Sequence, residues 1–248
     1  MSPFQTNAES GWGVRDGFYQ VGRLAERGFP HGVTTRGWGD MSQPDSRVDA
    51  LRRACNVEKP VRLLRQVHGA DVVAAQEYPA PPQADGWIAQ RFSMEASAGR
   101  SIFAVFIADC LPVYFWEEEE FKVFGLAHLG WRGIVRGMTE VMSQAFELRF
   151  KVPASKLHAA IGPHIHDCCY RVGAEVAGQF DSACVRQIGG NSYLDLSEEV
   201  SRRLRRLGVP GRQIHLCSRC TFCGQDEFFS YRRDGQSRHM MAFMDPYG

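Results

Sequence analysis

Residues 102–128 read IFAVFIADCLPVYFWEEEEFKVFGLAH, and this stretch decides the fold. Two apolar runs flank Glu117-Glu118-Glu119-Glu120, whose charge marks a solvated turn joining neighbouring strands. Ile102 to Ala108 is apolar throughout and gives way to Asp109-Cys110, and Val123 to Ala127 gives way to His128. A third strand-like run, Val61-Arg62-Leu63-Leu64-Arg65-Gln66-Val67, ends at His68-Gly69. Three soft-metal ligands, His68, Cys110 and His128, therefore each sit where a strand-like run meets a polar or Gly-containing turn. If these strands lie side by side in one sheet, two imidazoles and a thiolate meet at one rim. Two His and one Cys suit zinc with a fourth position left for water, the arrangement of a catalytic rather than a structural site. His and Cys at strand ends also serve as plain packing or hydrogen-bonding residues, and no short-range ligand pair such as H-x-x-x-H accompanies these three.

Working outward, Ile134, Met138, Val141, Met142, Ala145 and Leu148 recur at helical spacing directly after Gly130-Trp131-Arg132-Gly133. That places a Gly-rich turn at a helix N-terminus, where free N–H groups and the helix dipole favour an anion, with Arg132 beside them. A plain structural turn fits the same residues. Upstream, Val48, Leu51 and Cys55 mark a helix over Ser46 to Cys55. Pro79-Ala80-Pro81-Pro82 is a loop. Downstream, Leu157 to Ile161 reads as a strand, and Leu196, Val200, Leu204 and Leu207 as a helix stopped by Gly208 and Pro210. Phe228 to Tyr231 and Met240 to Met244 read as strands around a turn at Asp234-Gly235. Residues 1–20 show no periodicity and are expected to be an irregular segment, leaving 21–248 as one domain. Mixed strands and helices without a regular βαβ rhythm point to mixed sheets with helices packed outside.

The 248 residues suffice for one domain with a sizeable core. Lys and Arg number 29 against 28 Asp and Glu, so no global charge draws the chain to nucleic acid or an anionic membrane, and a small-molecule partner is expected. No apolar run approaches the roughly 20 residues that span a bilayer, and the start lacks a signal-like pattern, so a cytoplasmic location is expected. Eight Cys in that setting are expected to stay reduced, free for metal or catalysis. Oligomeric state is not legible.

Other constellations compete with the triad. Cys217-Ser218-Arg219-Cys220-Thr221-Phe222-Cys223 is a C-x-x-C-x-x-C run, a spacing used by iron–sulfur and structural zinc sites, though a fourth ligand is missing from it. Cys168-Cys169 is weaker, because neighbours on a strand point to opposite faces. His164-Ile165-His166 would present two imidazoles from one face of a strand, as copper oxidases do, but those enzymes need several such pairs; solvent-facing or hydrogen-bonded His is the preferred reading. The H-x-E and P-C-x-x-C strings of zinc nucleobase deaminases do not occur. A Cys hydrolase with Cys110 as nucleophile and His68 or His128 as base stays open.

Taken in order, Gln66-Val67-His68-Gly69, Ala84-Asp85-Gly86, Ala108-Asp109-Cys110-Leu111-Pro112-Val113, His128-Leu129-Gly130-Trp131-Arg132-Gly133, Ile161-Gly162-Pro163 and Phe228-Phe229-Ser230-Tyr231-Arg232-Arg233 form a specific series. With it the chain resembles the YfiH-like family, long labelled multicopper polyphenol oxidases or laccase-like proteins and later reassigned as purine nucleoside phosphorylases with adenosine deaminase activity. The resemblance implies a layered α/β/β/α fold and a zinc, or sometimes copper, ion on His68, Cys110 and His128 as the catalytic set. It further implies phosphorolysis of adenosine, inosine, guanosine or methylthioadenosine; some bacterial relatives instead edit peptidoglycan precursors. Leu129, His164, His166 and Asp167 depart from the family's usual residues, as do Ser237 and His239 around Arg238. Within that reading, Arg36, Arg132 and the N–H groups at Gly130 and Gly133 are candidates for phosphate, and Trp131 for a base. Asp109 and Asp85 are expected to fix turns. A copper-dependent polyphenol oxidase and a Cys hydrolase acting on peptidoglycan precursors are the competing readings.

Overall fold

The computed structural model describes residues 5–6, 11–55, 59–75, 78–91, 101–235 and 238–248. The chain opens with β1 (Gln5–Thr6), β2 (Trp12–Arg15), β3 (Phe18–Val21), α1 (Gly22–Glu26) and β4 (His31–Thr34). Helix α2 (Pro44–Cys55) leads to β5 (Val61–Arg62), β6 (Val72–Ala74), β7 (Gly86–Gln90), β8 (Ile102–Ile107), β9 (Leu111–Glu117) and β10 (Val123–Leu129). Then come α3 (Trp131–Val135), α4 (Met138–Phe150), β11 (Leu157–Ile161), β12 (Arg171–Val172), α5 (Ala174–Ala177), β13 (Val185–Ile188) and β14 (Asn191–Leu194). Helix α6 (Leu196–Leu207), β15 (Ile214–Leu216), α7 (Tyr231–Asp234) and β16 (Met240–Met244) close the chain.

Two mixed sheets dominate, one ordered β1-β2-β3-β4-β16-β8-β5 and the other β15-β11-β9-β10-β7-β6, with a small third sheet β12-β14-β13. The period-2 alternation of each central strand splits its side chains between two layers of core. Phe103, Val105 and Ile107 of β8 meet Tyr114 and Trp116 of β9 and Phe124 and Leu126 of β10 between the sheets. On the opposite face of the first sheet, Ile102, Ala104, Met241 and Phe243 pack on Ala50 and Leu51 of α2. On the opposite face of the second, Val113, Phe115 and Ile161 pack on Met138, Met142 and Phe146 of α4 and on Val200 and Leu204 of α6. The order of layers is helix, sheet, sheet, helix, so the expected α/β/β/α sandwich with mixed sheets is what the chain forms. Full burial of Met138, Met142 and Phe146 contributes about 1.5–3 kcal/mol per side chain. Helix α6 has the signals its sequence carries: Asp195 accepts from Glu198 N at 2.9 Å, and Gly208 ends it in the left-handed conformation.

Several local expectations give way to tertiary bonding. Trp12–Arg15 and Phe18–Val21, which but for Val21 fall inside the segment 1–20 expected to be irregular, form an antiparallel pair; residues 1–4 and 7–10 of that segment lie outside the described residues, as do Ser237 and the side chains of Val48 and Cys55. The Val61-to-Val67 run is a strand only at Val61–Arg62, because beyond it side chains replace the ladder. Gln66 pairs its amide with both N and O of Phe106, and Asp85 takes the N–H groups of Val67, His68 and Gly69. The helix after Gly133 is broken in two at Gly137, φ 87°, which turns α4 so that Phe146 is buried and Leu148 is 73 % exposed. Phe228 to Tyr231 is not a strand. Ser230 caps α7 by accepting from Arg233 N, while the Arg233 guanidinium binds the carbonyls of Thr221, Phe222 and Phe228. The acidic turn is solvated except at Glu117, which is buried and accepts from the backbone of Glu119, Glu120 and Phe121.

Candidate active site and metal centre

Strand β8 belongs to the first sheet and β9 to the second, so the turn Ala108-Asp109-Cys110 crosses from one sheet to the other at one end of the sandwich. His128 lies within β10, opposite Pro112 of β9, and the loop after β5 brings His68 to the same place. The three ligands therefore meet where two sheets meet, not along the rim of one sheet as the side-by-side arrangement would have it. Their ligand atoms lie within 4.8 Å of one another, and the two imidazoles sit 4.9 Å apart at 77°. His68 and Asp109 are both held at positive φ, 55° and 92°, conformations that bulky residues adopt only when their surroundings impose them.

Asp85, with no exposed surface, imposes the first. Its two carboxylate oxygens accept from Val67 N, His68 N and Gly69 N at 2.8–3.1 Å, and Oδ1 also accepts from His128 Nδ1 at 2.8 Å. With Nδ1 protonated toward Asp85, His128 presents Nε2 to the site, the carboxylate–imidazole arrangement that orients metal-binding His. Asp109 is bound by Thr221 Oγ1 at 2.6 Å, Ser230 Oγ at 3.0 Å and Arg232 N at 2.8 Å, which fixes the turn carrying Cys110. Both carboxylates thus hold turns. Gly130 caps α3 over the triad, where an added Cβ would lie 2.8 Å from His68 Cδ2 and 3.0 Å from Cys110 Sγ. Burial opposes ionisation of the Cys110 thiol, but the charge and hydrogen bond of His128, joined by His68, outweigh it and bring the thiol down to about 6. Burial likewise opposes the His128 imidazolium, and Cys110 and Asp85 together raise it to about 9. Two nitrogens, a stabilised thiolate, an orienting carboxylate and a glycine that leaves room beside them form a donor set that can hold a metal ion.

The triad opens into a cavity of about 600 Å³, within the range of small-molecule sites. Phe106, Trp131, Tyr170 and Tyr231 supply aromatic wall, and Arg132 and Arg232 supply cationic charge. Arg132 lies 4.5 Å over Trp131, and Arg232 lies 4.9 Å over Tyr170. Of the residues expected from sequence, His68, Cys110, His128, Trp131 and Arg132 line this cavity, and Gly130 backs the triad. Arg36 does not line it. Its guanidinium binds the carbonyl of Gln225 and packs over Phe229, because Arg36 N is tied to Glu227 O at 2.7 Å and directs the side chain along that loop. Arg232, Tyr170 and Asp85 escaped notice as site residues. Arg232 stood in the Phe228-to-Arg233 motif, but nothing near it announced that its backbone N bonds Asp109, 123 positions away.

His164 and His166 are neighbours, with rings 4.3 Å apart, but they do not lie on a strand face open to solvent. His164 is fully buried and its Nδ1 lies 2.8 Å from Gly162 O; burial pushes its pKa down to about 3. Neither lines the cavity. The Cys217-Cys220-Cys223 run does not act as one set: Cys217 is buried apart, whereas Cys220 and Cys223 converge with Cys168 and Cys169. Those two Cys sit in a turn rather than on a strand, so their side chains need not diverge. Among the described residues, no helix is long and apolar enough to cross a membrane.

A family model described as "Multi-copper polyphenol oxidoreductase laccase" matches residues 39–245. "Purine nucleoside phosphorylase YlmD" of Geobacillus stearothermophilus is 31% identical, with 92% of this chain and 94% of that protein covered. "Purine nucleoside phosphorylase YfiH" of Escherichia coli is 35% identical over 75% of this chain and 73% of its own. The crystal structure of YlmD from Geobacillus stearothermophilus superposes with a TM-score of 0.82 at 27% identity over 99% of both chains.

Proposed function

We propose, for a chain that belongs to the YfiH-like family of laccase-related proteins, that this site performs phosphorolysis of purine nucleosides, with adenosine deamination as a second activity. The observation that carries the reading is one cavity in which the His68–Cys110–His128 set, two arginines and four aromatic rings face a common space. The relatives from Geobacillus stearothermophilus and Escherichia coli are named purine nucleoside phosphorylases, and that activity needs the same ingredients.

In phosphorolysis a phosphate oxygen forms a bond to C1′ as the C1′–N9 bond breaks, and the electron pair leaves on the purine, which takes up a proton. Arg132 and Arg232 at the cavity wall neutralise the phosphate, with Arg232 in the role first expected of Arg36. Trp131, Tyr170 and Phe106 offer flat apolar surface to the base. Asp85 keeps His128 in one tautomer and His68 in one backbone conformation, so the donors enter the reaction already oriented. His68, Cys110 and His128 would hold a Zn²⁺ ion, with copper as the alternative, and such an ion would supply positive charge and water activation, the chemistry of hydrolytic deamination.

A second reading is favoured by one specific array: Cys110, His128 and Asp85 stand in the order of a thiol, a base and its orienting carboxylate. That is the machinery of a Cys hydrolase acting on a peptidoglycan precursor. Zinc-loaded protein is incubated with adenosine, with and without phosphate, and adenine, inosine and hypoxanthine are separated by chromatography. Phosphate-dependent adenine is the expected product. Adenosine left unchanged under both conditions, together with chelator-resistant cleavage of a precursor amide, supports the hydrolase instead.

A further inference from the structure

Among the described residues, two groups of potential ligands bring three or more donors within 4.8 Å of one another, and only one of them is the triad. The other is Cys168, Cys169, Cys220 and Cys223. We propose that these four thiolates form a second metal site, which binds Zn²⁺ and clamps together two segments beside the main cavity, one carrying Tyr170 and the other carrying Thr221.

The geometry is that of a mononuclear site. Zinc–thiolate bonds of about 2.3 Å place tetrahedral sulfurs about 3.8 Å apart. Cys223 Sγ lies 3.7 Å from Cys168 Sγ and 3.3 Å from Cys169 Sγ, and all four sulfurs fall within 4.8 Å. A disulfide has sulfurs about 2.05 Å apart and engages two thiols, leaving the convergence of the other two without a cause. An iron–sulfur cluster interposes several iron and sulfide atoms and needs its thiolates further apart than these. Four Cys with no open position is the ligand count of structural zinc.

The local backbone is built for thiolates. Cys220-Thr221-Phe222-Cys223-Gly224 is a tight turn in which Gly224 N bonds Cys220 O at 2.9 Å. From the other segment, His166 N donates to Cys220 Sγ at 3.5 Å. Such an N–H donor stabilises negative charge on sulfur and holds it in place. The second pair lies on a helical turn in which Cys169 N and Tyr170 N both bond His166 O, at 2.9 and 2.8 Å. That turn puts adjacent sulfurs on one side, which an extended strand would not do.

Both segments touch the main site. Tyr170, next to Cys169, lines the cavity, and Thr221, next to Cys220, holds Asp109, whose neighbour is Cys110. A zinc ion at the four Cys therefore fixes the segment that carries Tyr170 against the segment that holds Asp109, just beyond the β11–β15 pair and the isolated bridge between His164 and Cys220.

The site is tested in full-length protein carrying Cys110→Ala, purified under reducing conditions with zinc, desalted against a mild chelator and analysed for metal. The expected result is about one zinc per chain. Exchange for Co²⁺ should then give the intense visible and near-ultraviolet bands of a tetrahedral tetrathiolate. Adding Cys223→Ser should abolish the ion and the bands, while adding Cys217→Ser should leave both. Should the Cys223→Ser chain fail to fold, thiol titration of the Cys110→Ala protein decides: four thiols protected until a strong chelator is added support the site. Absence of metal from Cys110→Ala, iron in place of zinc, cobalt bands lacking the four-thiolate pattern, or an ion retained by folded Cys223→Ser protein would each overturn it.

Discussion

Replacing Asp85 with Asn changes one atom and should unfasten the site. The carboxylate accepts four hydrogen bonds, from Val67 N and Gly69 N on Oδ2 and from His68 N and His128 Nδ1 on Oδ1. In either orientation, the amide of Asn turns its NH₂ toward two of these donors. Two bonds to a charged acceptor are then lost, at about 2 kcal/mol each, and two weaken from charged to neutral, at about 1 kcal/mol each. The sum, about 6 kcal/mol, is an upper bound; rotation of the amide relieves part of it, leaving about 4–6 kcal/mol, in keeping with the about 3–5 kcal/mol for breaking a buried charged pair. For a chain of this size that is a fall in Tm of at least roughly 8 °C. Zinc affinity at the triad should drop about 10–100-fold, because His128 loses the group that sets its tautomer. Urea unfolding and chelator competition measure the two effects. Stability unchanged to within about 0.5 kcal/mol, the scatter of ordinary surface substitutions, together with unaltered zinc affinity, would refute the role given to Asp85.

Three further outcomes follow from particular contacts. His31 is buried with Nε2 accepting from Val21 N at 2.8 Å and Nδ1 facing Phe29 O, and burial lowers its pKa from 6.5 to about 4. The unfolded chain then takes up a proton that the folded one refuses, so its contribution is full above about pH 6.5 and is lost toward pH 4, by about 3 kcal/mol; His31→Gln should flatten the fall of the urea midpoint over that range, and equal slopes would contradict it. Gly125→Ala puts a Cβ 2.7 Å from Met142 Cε and 3.0 Å from Phe146 Cε2, so thermal unfolding should show a loss of about 1–3 kcal/mol by overpacking. Arg132→Ala and Arg232→Ala should each raise the KM for phosphate in steady-state kinetics while leaving the zinc content of the triad unchanged; an unchanged KM in both would remove the arginines from the phosphate site.

The parts of the fold that one segment determines on its own were legible in the sequence. The unbroken apolar run of β8, the Gly208 end of α6 and the turn at Cys110 between two strands all appear where local pattern puts them, and His128 falls one residue inside the end of β10. Features made by distant partners were not. Asp85 and His128 are 43 positions apart, so nothing in either neighbourhood announced that one orients the other. Phe228 to Tyr231 has strand composition, yet its backbone is claimed by the Asp234 carboxylate at Ser230 N and by the Arg233 guanidinium at Phe228 O. Regular spacing also misled at the cysteines. The C-x-x-C-x-x-C run draws attention to Cys217, while the partners that complete the cluster lie more than 50 positions upstream in a turn.

The most direct test of the account is kcat/KM for phosphorolysis of adenosine in zinc-loaded wild-type protein and in His68→Ala, Cys110→Ser and His128→Ala, with bound metal counted in each. Every one of the three variants should lose at least about 10³-fold, together with the metal of the triad, since orientation and charge stabilisation fail as a unit. A folded variant that keeps wild-type phosphorolysis would contradict it, because that residue would then stand outside the chemistry that the meeting of the two sheets creates.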